Sequence, residues 1–173
     1  MKKVLMIHEV CEDLLSLPGL DDFILTFDDG LYSQFKYFES IIKIPTSKYF
    51  FISTNIVAKE NEEQNPEYIK CSDAHEMYFT TGTREHYMNW EQIKHIYNSQ
   101  DCYIGGHSHD HIRNCENIFT DTNLMLSKFK QHNITIDSFC FPYNMELKYY
   151  KELLMTKNIR SFFGPERVDV NDL

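Results

Sequence analysis

Three of the chain's eight histidines fall within five positions, in Gly105-Gly106-His107-Ser108-His109-Asp110-His111. His107 and His111 are four apart, so one helical turn or a tight loop can aim both rings at one point. Imidazole is the commonest protein ligand for zinc and related ions. The plainer reading is a polar surface loop rich in histidine, since HxxxH spacing also arises by chance. A second cluster, Asp28-Asp29-Gly30, lies upstream. Adjacent carboxylates at a strand end repel each other unless a cation or a shared proton relieves them. Neighbours in an extended segment point in opposite directions, so one can bind a metal while the other handles a proton. An Asp-Gly turn capping the next helix is the alternative. Together, two histidines and one aspartate leave open positions on a metal, as catalysis requires.

These residues must be positioned by regular elements. Phe23-Ile24-Leu25-Thr26-Phe27, a continuous apolar and β-branched run, reads as a strand buried on both faces and ends at the aspartates. Cys102-Tyr103-Ile104 reads as the strand that delivers the histidines. Residues 3–8 read as a first strand, with His8 at the carboxyl end, where active sites gather in barrel folds. His8 is then either a core histidine bonded to backbone or a residue supporting the site. Leu31, Phe35, Phe38 and Ile42 recur at helical spacing, and Tyr49-Phe50-Phe51-Ile52 follows as a strand, giving a right-handed β-α-β unit. Residues 57–88 lack sustained periodicity and read as a long excursion over the top, with His75 and His86 facing solvent. Asn89 caps a helix that buries Trp90, Ile93, Ile96 and Tyr97. Helices are expected over 122–132 and 146–155, and strands over 138–141 and 159–163. Strand alternating with helix indicates a parallel sheet, open or closed, with six strands counted.

At 173 residues, the expectation is one domain spanning 1–173. A net charge of −9 argues against nucleic acid or an anionic membrane surface as the main partner. Cysteines at 11, 71, 102, 115 and 140 form no CxxC pair and suggest reduced thiols in a cytoplasmic protein. The apolar run from Val4 to Ile7 is too short for a signal-peptide core or a membrane span.

Thr26-Phe27-Asp28-Asp29-Gly30, then His107-Ser108-His109-Asp110-His111, then Phe141-Pro142-Tyr143 resemble in order the first three motifs of the polysaccharide deacetylases, the NodB-homology group or carbohydrate esterase family four. Val4-Leu5-Met6-Ile7-His8 is similar to the opening strand and histidine of one branch, and Trp90-Glu91-Gln92-Ile93 to the helix before the second motif. The resemblance covers roughly residues 3 to 164. It implies an α/β fold, a distorted, NodB-like (β/α) barrel of about seven strands, incomplete if only the six counted are present. It implies that Asp29, His107 and His111 hold Zn2+ or another divalent transition metal, and that Asp28 is the general base acting on a metal-bound water. Tyr143 would donate its backbone N–H to the oxyanion, and Ser108 would brace the histidine loop. His109 and Asp110 receive no role and are free to be exposed. Tyr78, Phe79, Tyr87 and Trp90 either stack on a sugar or fill a core.

Three departures stand out. Cys140 occupies the place where the family often has an arginine that positions the base, and Asn144 replaces a common glycine. No histidine occurs beyond His132, so the late general-acid histidine is missing; His8 or a partner subunit would have to replace it. The implied function is metal-dependent removal of an N-acetyl group from an amino sugar or saccharide intermediate, inside the cell. One alternative is a catalytically weak metal-binding homologue that binds carbohydrate or protein. Another is a hydrolase of an ester or non-sugar amide on the same scaffold. Self-association through an open sheet edge is a further expectation.

Overall fold

Short runs of β-branched and aromatic residues form strands, and amphipathic segments between them return the chain to the start of the next strand, so all strands run parallel. The computed structural model describes residues 2–112 and 117–173, which leaves Cys115 outside the described residues. In chain order the elements are β1 (Lys3–Ile7), α1 (Glu12–Leu15), β2 (Phe23–Phe27), α2 (Tyr32–Lys36), α3 (Phe38–Ile41) and β3 (Lys48–Ile52). They continue with α4 (Cys71–Thr81), α5 (Trp90–Tyr97), β4 (Cys102–Gly106), α6 (Ile118–Gln131), β5 (Ser138–Cys140), α7 (Lys148–Thr156), β6 (Ser161–Phe163) and β7 (Val168–Asp169). The seven strands form one sheet in the order β6-β5-β4-β3-β2-β1-β7, curled into a half-barrel. The order never reverses, and the gap lies between β6 and β7.

Strand count and helix bounds depart from the sequence reading in specific places. The seventh strand is only two residues long, pairing Val168 with Leu5 and Asp169 with Met6, and so short a run carries no periodicity. The single helix expected over 31–42 is two, α2 and α3, joined at Tyr37. Within the region 57–88, α4 forms and stops at Gly82, whose φ of 77° suits the left-handed position after a helix. Asn89 does cap α5, with its side chain on the Gln92 N–H and the Gln92 side chain on the Asn89 N–H.

The core explains how the site is held. Leu25 and Phe27 of β2, Phe50 and Ile52 of β3 and Ile104 of β4 pack with Phe38, Ile93, Ile96, Met125 and Phe129 from the helices. On the other face of the sheet, Phe51 packs with Cys140 and Phe163. The central strands are therefore buried on both sides. The glycine pair before the histidines is a packing requirement: a Cβ on Gly105 would stand 2.5 Å from Phe51, and one on Gly106 would stand 2.6 Å from Met125. Among the described residues no helix is long and apolar enough to cross a membrane.

Candidate active site

The site gathers at the carboxyl ends of the strands. Asp28 continues the ladder beyond β2, donating its N–H to Ile7 O at 2.9 Å. Asp29 then turns to a φ of 71° and Gly30 to 77°. The two carboxylates diverge because the chain turns left-handed at Asp29, not because an extended segment alternates its side chains. Ser108, His111, Tyr143 and Asn144 also have positive φ. Left-handed backbone at non-glycine residues stores strain, and here it clusters around one cleft.

The histidines lie in a tight loop, not on a helix. His107 N–H donates to Ile52 O at 3.0 Å, and His107 O accepts from Ser53 Oγ at 2.8 Å. Asp121 of α6 accepts the N–H groups of both His109 (2.9 Å) and Asp110 (2.8 Å). Ser108 Oγ accepts the Ile112 N–H at 3.2 Å. His109 is buried and hydrogen-bonds through Nδ1 to Thr54 Oγ1 at 2.8 Å, while Asp110 is exposed. The His109 ring thus serves the loop, and the flanking rings are left to the site.

His107 Nε2 lies 3.3 Å and His111 Nε2 3.0 Å from Asp29 Oδ1, and all three residues are buried. His107 Nδ1 is engaged with Cys140 O at 2.8 Å, so it carries the ring proton and a neutral His107 turns its Nε2 lone pair toward Asp29. Asp29 Oδ1 has no well-aligned hydrogen bond among the described residues despite full burial. A buried carboxylate oxygen facing ring nitrogens calls for positive charge between them. Protons are one source: burial pushes the His107 pKa down, but Asp29 outweighs it and the net shift is upward. Burial pushes the Asp29 carboxyl up, and the two imidazoles outweigh that, holding it well below the usual carboxylate range. A divalent cation is the other source, and three N/O donors within 4.8 Å of one another fit one.

Asp28 has a different environment. Arg167 Nη1 donates to Asp28 Oδ1 at 2.8 Å and to Thr26 Oγ1 at 3.0 Å, while Nη2 donates to Asn144 Oδ1 at 2.8 Å. The guanidinium links the end of β2 to the loop after β5. Burial alone pushes the Asp28 carboxyl up, but Arg167, helped by His107, brings it below its ordinary value of 3.8. Cys140 Sγ lies 3.5 Å from the other oxygen, and burial beside Asp28 pushes that thiol up, so it stays neutral. The arginine absent at position 140 is therefore matched by Arg167, which the sequence reading did not single out. Its only local signal is a lone arginine two residues after Pro165.

Tyr143 sits in a short turn after β5, with its hydroxyl 3.1 Å from His111 Nδ1. His8 is neither deep in the core nor remote: its side chain is 32% exposed, with Nε2 3.9 Å from Asp29 Oδ2. The expectation for the two excursion histidines is overturned. His86 is buried beside Glu85, and His75 enters the site with Nε2 3.6 Å from Asp29 Oδ1. Burial, aided by His111, pulls His75 down to about 4 against the pull of Asp29. Cys71, one turn earlier on α4, donates its Sγ–H to Asp29 Oδ2 at 3.0 Å. The cleft above these groups has a volume of ≈ 420 Å³, within the range of small-ligand pockets. Tyr78, Phe79, Tyr87 and Trp90 do not line it; Trp90 stacks instead on His132 at 4.1 Å.

No family model matches the chain, and no curated protein matches it by sequence. Solved structures do match. IcaB from Ammonifex degensii is 21% identical with a TM-score of 0.67, over 98% of this chain and 85% of that one. The deacetylase domain of BpsB from Bordetella bronchiseptica is 14% identical with a TM-score of 0.67, over 95% of this chain and 88% of that one. A polysaccharide deacetylase from Bacillus cereus is 11% identical with a TM-score of 0.69, over 97% of this chain and 64% of that one. The chain therefore has the NodB-like polysaccharide deacetylase fold that its motifs resemble.

Proposed function

We propose that this protein is a metal-dependent hydrolase that removes an N-acetyl group from an amino sugar or saccharide intermediate. The observation that carries the reading is the division of labour between adjacent carboxylates: Asp29 faces His107 and His111, while Asp28 is tied to Arg167. Asp29, His107 and His111 would hold Zn2+ or another divalent transition metal. When bound, such an ion lowers the pKa of a coordinated water and polarises the acetyl carbonyl.

The chain's own residues do the rest. Arg167 occupies Asp28 Oδ1, so the proton of the attacking water goes to Oδ2, where the long 3.5 Å contact from the neutral Cys140 thiol leaves acceptor capacity. The Arg167 contact keeps that carboxyl ionised at neutral pH, at some cost in basicity. Tyr143 keeps the oxyanion-donor role that the resemblance implies, in a turn with a φ of 57° beside His111. His8, at the rim of the cleft, would give a proton to the leaving amine; its partly exposed ring, 3.9 Å from Asp29 Oδ2, supports this reading. Ser108 braces the histidine loop through its bond to the Ile112 N–H. The names of the neighbours support an acetylated saccharide as substrate class: a deacetylase domain and a polysaccharide deacetylase. A module that only bound metal or sugar has no use for a second buried carboxylate with its own arginine, so the binding-module alternative is not favoured.

Acetate release from N-acetylated oligosaccharides and UDP-N-acetylhexosamines, with protein stripped of metal and reloaded with zinc, tests this reading. Acetate that appears only after reloading, and is lost in Asp28→Asn although zinc is retained, is the expected result. Turnover by Asp28→Asn equal to that of the parent would remove Asp28 as the base.

A further inference from the structure

A second group of ligand-type atoms converges on Asp29 from α4. Cys71 Sγ stands 3.0 Å from Asp29 Oδ2 and His75 Nε2 stands 3.6 Å from Oδ1, and one ligand atom from each of the three residues lies within 4.8 Å of the other two. Cys71 and His75 are four apart, which puts them on one face of the helix, one turn from each other. His75 Nε2 is buried and has no hydrogen-bond partner among the described residues. An unsatisfied ring nitrogen aimed at a buried carboxylate oxygen is costly, and native structures keep such groups for a reason.

The surroundings hold the pair in place. Glu9 Oε2 accepts the Cys71 N–H at 3.1 Å, satisfying one of the open donors at the start of α4. Ala74 packs with Leu31, Ile56 and Tyr87, and the Tyr87 ring lies nearly parallel to that of His75, with centroids 6.1 Å apart. This fixes the face of α4 that looks into the cleft. Nothing in the proposed hydrolysis uses a thiol or an additional imidazole at this position.

We propose that Cys71, His75 and Asp29 form a second site for a zinc-class divalent cation, next to the first, with the Asp29 carboxylate shared between them. One thiolate, one imidazole and one carboxylate form a donor set suited to zinc or cobalt. Two ions bridged in this way commonly stand about 3.5–4 Å apart. Loading the site displaces the thiol proton that Cys71 now gives to Asp29, and that proton leaves to solvent. The inference rests on Asp29 being a metal ligand in the proposed hydrolase, so the test must separate the two sites.

Cobalt(II) added to the metal-stripped full chain provides that separation, read by equilibrium dialysis and by the near-ultraviolet charge-transfer band of a thiolate–cobalt bond. The expected result is two cobalt ions per chain with the band present. Cys71→Ser should lose the band and fall to one ion, and His75→Ala should also fall to one. His107→Ala should fall to one ion but keep the band, and Cys140→Ser should keep both ions and the band. One ion per chain without the band overturns the second site and leaves the deacetylase reading standing, whereas one ion with the band overturns the division into two sites. A band lost in Cys140→Ser rather than in Cys71→Ser also overturns it. No bound cobalt at all overturns both readings. The parent protein alone decides between one ion and two, so a variant that fails to fold does not shield the proposal.

Discussion

The two sides of the cleft are built in different ways. Asp28, Asp29, His107 and His111 stand at strand ends in a loop system whose backbone is bonded at nearly every turn, to Ile7, Ile52, Ser53 and Asp121. Cys71 and His75 ride on α4, which is anchored by Glu9 and by the small cluster around Ala74. The strand-borne side also carries the strained residues Asp29, Ser108 and His111, and only a densely bonded frame can over-determine such backbone. The strand-borne side is thus pre-organised for chemistry, while the helix-borne side is a less tightly tied wall added to it.

The largest effect should come from emptying the strand-borne side. His107→Ala removes one of three donors, and acetate release should fall to background; activity close to the parent level would show that the cleft does not work through this triad. Asp28→Asn should follow, lowering turnover by about 10²–10⁴-fold with metal content unchanged, measured by acetate assay alongside metal analysis.

Breaking the Arg167–Asp28 pair tests the frame itself. Arg167→Met leaves a buried carboxylate without its cation, a change that costs about 3–5 kcal/mol in urea unfolding. The pH dependence follows from the same pair. Asp28 is held below its ordinary 3.8 when folded, so the pair's contribution is complete above that value and is lost as pH falls through the lowered one. Without Arg167, burial dominates, the carboxyl protonates at higher pH, and the acid limb of acetate release should move upward. An unmoved acid limb would separate Arg167 from the base.

Two smaller perturbations sharpen the contrast. Asp121→Ala releases the backbone of His109 and Asp110, and should weaken metal affinity by about 10–100-fold, measured by competition with a chelator. Glu9→Ala releases the start of α4 and the Tyr68 hydroxyl that meets Glu9 Oε1 at 3.5 Å, and should cost about 0.3–1 kcal/mol, read from thermal unfolding. A Glu9→Ala cost larger than that of Arg167→Met would reverse the ranking of the two sides.

Elements that bear local patterns were legible in the amino-acid order alone. The apolar run ending in Asp28-Asp29, the Gly-Gly-His cluster after its strand and the Asn89 cap are each contained within a few residues, and backbone periodicity or capping chemistry makes them legible. The fold class followed from the alternation of strand and helix and from the order of the motifs. The partners of the site residues became visible only with the folded chain. Arg167 meets Asp28 across 139 residues because β7 closes against β1, and a two-residue strand leaves no signal of its own. Cys71 and His75 lie in a stretch without sustained apolar periodicity, since α4 buries Ala74 alone and turns just these two side chains toward Asp29. Side chains that serve a site and not a core follow no hydrophobic period, so only the closing of the chain around Asp29 brings them into view.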